Sequence, residues 1–281
     1  MRVIGTIAEL QTLADRERAS GATIALVPTM GALHAGHLSL VEEARKRADR
    51  VWVSIFVNPT QFDDASDWSS YPRSLEDDLE RCRAAGVEVV FAPEPAEMYP
   101  PERQAWVEVG EVAGLLCGRS RPGHFRGVAT VVAKLLLAAK PHVAVFGEKD
   151  YQQLVVIRQM VRELGFDVEI VGGAIVREPD GLALSSRNAK LHPQARRQAT
   201  ALVRALDVAQ SAVESGERDV GRLRQLVTAE ITKAPLARID YVELCDPSSL
   251  QPAPARLRDS TLLALAVFFE PSAASEVIRS G

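Results

Sequence analysis

The stretch Leu26-Val-Pro-Thr-Met-Gly-Ala-Leu-His-Ala-Gly-His37 constrains this chain more than any other. Just before it begins the apolar run 23–27, which reads as a buried parallel strand that Pro28 is expected to end. After it comes Leu38-Ser-Leu-Val-Glu-Glu-Ala, whose spacing predicts a helix from 37 to about 47. Between them lie Gly31, His34, Gly36 and His37. A strand turning into a helix with two imidazoles at the turn brings donors and a helix N-terminus together. That combination suits an anion, and a nucleotide phosphate is the expected one. Gly36 leaves no Cβ between the backbone and such a ligand.

Similar units recur along the chain. Strands are expected at 51–56, 87–91, 143–146 and 168–171, with a short one at 106–109. A first helix is expected within residues 1–20, with Ile7, Leu10, Leu13 and Ala14 at helical spacing. Others are expected from Ser74 to Ala85, at 128–139 and at 151–164. Ser74 followed by Asp77 has capping-box spacing, and Gly86 is the expected stop. Alternation of this kind predicts an α/β fold, a doubly wound parallel sheet of Rossmann type, with ligands beyond the C-terminal ends of the strands. The character changes near Val176. Residues 1–176 are expected to form the ligand-binding domain and 177–281 a smaller α+β domain that lids the site. The smaller domain would hold helices at 193–215 and 220–233 and strands at 239–245 and 261–269.

Composition excludes several classes. A net charge of −4 gives no footprint for nucleic acid. No apolar run approaches the roughly 18–20 residues of a membrane span. Met1-Arg-Val-Ile-Gly-Thr is not a secretory signal, so a cytoplasmic location is expected. Cys82, Cys117 and Cys245 are far apart and odd in number, which argues against a disulfide framework or a cysteine zinc site, and no metal-ligand set is expected.

Three further groups fall where ligands would sit. Gly147-Glu-Lys-Asp150 follows a strand, so Lys149 can clamp a phosphate while Asp150 takes a ribose hydroxyl or orients the lysine. Leu184-Ser-Ser-Arg187 offers two hydroxyls and a guanidinium for a triphosphate, although alone it is a common surface pattern. Asn58, Gln61 and Gln153 are neutral amides, able to hold hydroxyls and a carboxylate without damping the carboxylate's nucleophilicity. Asp77 and Asp78 stand at a helix start, as charges that suit the dipole or as groups that meet Mg2+.

Together these blocks resemble the pantothenate synthetase family, the pantoate–β-alanine ligases. The resemblance is carried by Val27-Pro-Thr-Met-Gly-Ala-Leu-His-Ala-Gly-His37, Val53-Ser-Ile-Phe-Val-Asn-Pro-Thr-Gln-Phe62, Tyr71-Pro-Arg73, Arg121-Pro-Gly-His-Phe-Arg-Gly-Val128, Phe146-Gly-Glu-Lys-Asp-Tyr-Gln-Gln-Leu154 and Ser185-Ser-Arg-Asn188. The blocks stand in the family's order over about residues 24–190. The resemblance implies the HIGH nucleotidyltransferase version of the Rossmann-type sheet, with the HxGH and Ser-Ser-Arg elements as counterparts of the HIGH and KMSKS motifs of class I aminoacyl-tRNA synthetases. It implies that pantoate attacks the α-phosphorus of Mg-ATP to give pantoyl adenylate and pyrophosphate, and that β-alanine then yields pantothenate and AMP.

The resemblance assigns ATP to Met30, Gly31, His34, Gly36, His37, Gly147, Glu148, Lys149, Asp150, Val176, Leu184, Ser185, Ser186 and Arg187. It assigns substrate to Gln61 and Gln153, with Asn58, Arg121 and His124 completing the set. His37, His34 and Lys149 are the catalytic candidates. His37 is the family's proton donor, while the chemistry equally suits two imidazoles that stabilise the charge developing on the α-phosphate. ATP enters with Mg2+, no organic cofactor is implied, and the family is usually a cytosolic homodimer.

This sequence departs from the family pattern in carrying Leu184 for Met and Cys117 for Glu, in the composition of the 63–70 loop, and in its C-terminal tail. Two other readings remain at this point. One is a related nucleotidyltransferase acting on a phosphate substrate, against which the neutral Gln61 and Gln153 speak. The other is a nucleotide-binding regulatory module, against which the full set His34, His37, Lys149 and Arg187 speaks.

Overall fold

The structure is a computed structural model that describes residues 1–62, 68–69, 71–258, 260–269 and 277–280. Six parallel strands form the main sheet: β1 (Arg2–Ile4), β2 (Ile24–Thr29), β3 (Arg50–Ile55), β4 (Val89–Phe91), β5 (Val143–Gly147) and β6 (Glu169–Gly173). Their spatial order is β1-β4-β3-β2-β5-β6. Side chains alternate between two cores, as the period of a strand demands. Ile24, Leu26, Trp52, Ala144 and Phe146 face one core, and Ala25, Val27, Val51, Val53, Val143 and Val145 face the other.

The first core is covered by helices α1 (Ile7–Ala19), α4 (His124–Ala139) and α5 (Tyr151–Leu164). The second is covered by α2 (Ala35–Arg45) and α3 (Leu75–Ala84). Burial on both faces explains the continuous apolar runs in the sequence. The chain moves to one side of β2 through β3 and β4, and to the other through β5 and β6. The switch point therefore lies between β2 and β5, where a crevice opens at the strand ends.

The remaining chain forms α6 (Pro193–Gln198), α7 (Ala201–Glu214) and α8 (Val220–Ile231) over an antiparallel sheet of β7 (Ala237–Cys245), β8 (Leu262–Phe269) and β9 (Val277–Ser280). Leu202, Ala205, Val227, Ile231, Val267 and Phe269 belong to its core. No described helix is long and apolar enough to cross a membrane.

Several sequence expectations are corrected. Pro28 does not end its strand, which continues to Thr29. Thr23 and Thr29 carbonyls accept from β3 and its neighbour Phe56, whereas the Ile24 carbonyl accepts from His142 beside β5. Even-numbered positions thus face β5, whose pairing with β2 ends at Leu26, so Pro28 removes no ladder bond. Residues 106–109 are not a strand; the Val107 N–H is satisfied by the Thr130 hydroxyl at 3.0 Å. The 193–215 helix is two helices, with a break at Ala199 and Thr200 where the Leu202 N–H donates to the Ala199 carbonyl three residues back and the Thr200 hydroxyl donates to the Arg197 carbonyl. Ser74 is an N-cap without a bond to the helix backbone; its hydroxyl meets the Asp77 carboxylate at 2.5 Å. The short edge strands β1 and β9 lie outside the sequence expectation, having too few residues for a periodic signal. Most of the 63–70 loop and the 270–276 part of the tail lie outside the described residues.

Candidate active site

A cleft of about 200 Å3 opens at the switch point. Of the sequence-predicted residues it brings together Met30, His34, Gly36, His37, Asn58, Gln61, Gly147, Lys149, Asp150, Gln153, Val176, Leu184, Ser185, Ser186 and Arg187.

The histidines are set by the start of α2. The helix begins earlier than its apolar pattern suggests, with His34 itself as N-cap in extended backbone. His34 Nδ1 accepts from the Gly36 N–H at 3.1 Å, and His37 Nδ1 accepts from the His34 N–H at 3.3 Å. This is a capping box built from imidazoles. Each ring uses Nδ1 as an acceptor, so in the neutral form its proton sits on Nε2. The rings lie with centroids 4.1 Å apart and planes tilted by 41°. Burial, then Lys149 and Arg81, lowers the His34 pKa to about 4. Burial, then His34, lowers that of His37 to about 3. Both are neutral hydrogen-bond donors across the physiological range. Gly36 serves this cap directly, since a Cβ there would lie 2.9 Å from His34 Cε1 and 3.0 Å from its Nδ1.

Lys149 and Asp150 lie on the single turn that follows β5, with Nζ 3.6 Å from the Asp150 carboxylate. The opposite wall comes from a tight turn after β6. The Leu184 N–H donates to the Val176 carbonyl at 2.9 Å, and Arg177 bridges Ala183. Ser185 caps the turn Ser186–Lys190 by accepting from the Arg187 N–H. The Arg187 guanidinium lies 5.7 Å from the Tyr71 ring centre. This wall is anchored from behind. Asn188 donates to Glu178 and to the Ala183 carbonyl, and Arg196 pairs with Glu178 and Asp180, both at 2.7 Å.

The amides divide their work. Asn58 is 1% exposed and its groups are engaged: Tyr99 and Thr60 donate to its oxygen, and it donates to the Gly127 carbonyl and to Gln61 Oε1 at 3.0 Å. Gln61 is thereby oriented with Nε2 toward the Met30 sulfur, a weak acceptor that a carboxylate can replace. Gln153 lines the same cleft, with no hydrogen-bond partner among the described residues.

Four predicted residues do not line the cleft. Arg121 and His124 both donate to the Gln61 backbone carbonyl, at 2.9 and 2.7 Å, and so stand behind it. Glu148 lies against Gly172, where a Cβ would come within 2.8 Å of its carboxylate. Gly31 sits on the far side of the turn, beside Asp78. Sequence reasoning missed the apolar wall: Val128, Val131, Val132 and Leu135 of α4, with Phe56 and Phe146. The i, i+3, i+4, i+7 spacing was visible, but the helix is apolar on most sides, so no one face stood out. Tyr71 was also missed as a lining residue. Among the described residues no cluster of three metal-ligating side chains occurs.

The Pantoate-beta-alanine ligase family model matches residues 2–275. A pantothenate synthetase of Geobacter sulfurreducens is 54% identical over 267 residues, covering 95% of this chain and 94% of that protein. One from Anaeromyxobacter dehalogenans is 56% identical over 259 residues, covering 90% and 89%. The crystal structure of pantothenate synthetase from Thermus thermophilus superimposes with a TM-score of 0.91 at 43% identity, covering 99% of this chain and 98% of that one. The pantoate-beta-alanine ligase of Francisella tularensis, complexed with beta-gamma ATP and beta-alanine, gives 0.78 at 31% identity, covering 99% and 97%.

Proposed function

This chain belongs to the pantoate-beta-alanine ligase family, and from that premise we propose how its cleft divides the work. The enzyme is an ATP-dependent ligase that condenses pantoate with β-alanine to pantothenate. In the proposed course, a pantoate carboxylate oxygen attacks the α-phosphorus of ATP. The bond from that phosphorus to the bridging oxygen breaks, and pyrophosphate leaves; Mg2+ on the nucleotide would supply charge neutralisation for the phosphates. The neutral amine of β-alanine then attacks the acyl carbon of pantoyl adenylate, the carbon–oxygen bond to AMP breaks, and the amine nitrogen sheds a proton.

One observation carries the assignment of roles. Both histidines spend Nδ1 on backbone N–H groups, so two Nε2–H donors are left for a ligand. Neutral donors held in place before the reaction stabilise charge that builds on the α-phosphate without reorganising. The low pKa values of His34 and His37 support this role over proton donation, while bound phosphates oppose those shifts. Lys149 adds a cation from the β5 side, and Ser185, Ser186 and Arg187 grip the triphosphate from the opposite wall. Gln61 and Gln153 hold pantoate, and Gln61 helps to place β-alanine. The apolar face Val128, Val131, Val132 and Leu135 suits the two methyl groups of pantoate.

The same proposal divides the chain at Val176, with 177–281 as the lid domain. It includes the homodimer and the cytoplasmic location that the family resemblance implies. Buried cysteines with no disulfide among the described residues fit a reducing compartment. The test is pyrophosphate–ATP exchange. It should require pantoate, and the full reaction should give AMP. Exchange without pantoate, or ADP as product, would overturn the reading.

A further inference from the structure

The turn that carries His34 is braced from outside the cleft. Gly31 and Ala32 both have positive φ, 81° and 50°, so the chain leaves β2 through two left-handed residues. The N–H groups of Ala32 and Leu33 are both taken by Asp78, whose carboxylate oxygens accept at 2.8 and 2.7 Å. Arg81, one turn further along α3, donates to the Leu33 carbonyl. Asp78 is 2% exposed and does not line the cleft. At the far end of α2, Arg45 donates to the Ala85 and Gly86 carbonyls that close α3. One helix thus ties down both ends of the turn-and-helix unit. The glycine at 31 follows from this, since a Cβ there would lie 2.8 Å from Asp78 Oδ2 and 3.2 Å from Ile55 Cγ2.

We propose that Asp78, with Arg81, is a positioning residue for the adenylation step, which rests on the reading of the site above. Asp78 fixes the 31–34 turn so that His34, and through the reciprocal cap His37, aim Nε2–H at the α-phosphate. Two charge-assisted bonds to a buried carboxylate hold a strained turn far better than water would. Neighbouring Asp77 is exposed and bonds only the Ser74 hydroxyl among the contacts described, so it provides a control with the same charge at the same helix start.

The experiment compares Asp78→Asn, Asp77→Asn and Gly31→Ala in pantoate-dependent exchange. Asp78→Asn should lower kcat by roughly 10- to 100-fold, the scale of a misplacement near 1 Å, with the KM values for ATP and pantoate within about threefold. Asp77→Asn should stay within about twofold of wild type. Gly31→Ala should reproduce the kcat loss, and the double variant with Asp78→Asn should lose less than the product of the two, as coupled residues do. The ring-nitrogen NMR pattern of His34 should depart from the single Nε2–H form in Asp78→Asn while that of His142 is unchanged. Wild-type kcat in Asp78→Asn, equal losses in Asp77→Asn, or recovery of Asp78→Asn by raised Mg2+ would each overturn the proposal. If Asp78→Asn fails to fold, Gly31→Ala decides: a kcat loss with unchanged KM supports the brace, and wild-type kcat overturns it. Absence of exchange in wild type would instead overturn the reading of the site, so the two failures are separable.

Discussion

The two walls of the cleft are built by different means. The histidine wall is held mainly by backbone: His34 and His37 cap their own helix, and Asp78 takes the N–H groups of the turn. The Ser-Ser-Arg wall is held mainly by side chains, with Arg196 bridging Glu178 and Asp180 and Asn188 tying Glu178 back to the loop. The Arg196 and Glu178 side chains are roughly a quarter exposed, and Asp180 more so. Backbone contacts to buried groups vary little with salt, whereas part-exposed ion pairs weaken as salt rises. The difference suits the proposed roles, in which the rigid surface meets the reacting phosphate and the more adjustable one grips the leaving group.

The largest expected effect lies on the rigid wall. His37→Ala removes one Nε2–H donor and leaves the His34 N–H without its acceptor. Exchange should fall by roughly 10²–10³, the usual loss for one such donor. His37→Asn, which does not titrate but still donates, should recover part of it. Equal rates for His37→Ala and wild type would break the assignment of this wall. The pH profile belongs to the same surface. Both histidines have depressed pKa values in the folded protein, about 4 and about 3. The neutral forms therefore stabilise the fold fully above the unfolded value near 6.5, and stability is lost as pH falls from there through the folded values. Exchange should show no histidine-dependent step between about pH 6 and 8. Urea midpoints should drop on acidification, less so in His37→Asn. A wild-type exchange step near pH 6.5 absent from His37→Asn would restore a titrating role.

How far the sequence reached separates along the same line. The histidine wall was legible because its chemistry is local: strand, glycine, two imidazoles and helix lie within residues 26–37. A parallel sheet with ligands beyond its strand ends followed from alternation, whereas the strand order that puts the switch point between β2 and β5 did not. The brace from Asp78 was not legible, because it joins residues 46 positions apart and an aspartate at a helix start reads equally well as a dipole partner. Arg121 and His124 stood in a motif block, and their contact with the Gln61 carbonyl is a relation visible only in three dimensions. Tyr71 and the Val128–Leu135 face were hidden for a related reason, since burial against a ligand and burial against a core use the same residues.

The adjustable wall predicts an intermediate effect. Arg196→Met keeps much of the side-chain bulk and removes both ion pairs, leaving the Glu178 carboxylate, among the described residues, with its Asn188 bond. The KM for ATP should rise by about tenfold, equivalent to about 1.4 kcal/mol, with kcat little changed. In wild type the same KM should rise with added salt, and in Arg196→Met that dependence should shrink. If kcat falls as steeply as for His37→Ala, the two walls are not mechanically distinct and the contrast fails.

Leu184→Met should have the smallest effect, and it tests where the walls meet. The Leu184 N–H bond to Val176 depends on backbone alone, so the turn survives the change. Its side chain reaches across to the histidine wall, with Cδ2 4.0 Å from where a Cβ on Gly36 would stand. A volume-conserving swap at an apolar contact of this kind costs little, and both ATP affinity by calorimetry and exchange should remain within about twofold of wild type. A change above about fivefold, equivalent to about 1 kcal/mol, would mean that this one contact couples the walls. The adjustable side would then owe its geometry to the rigid one rather than to Arg196.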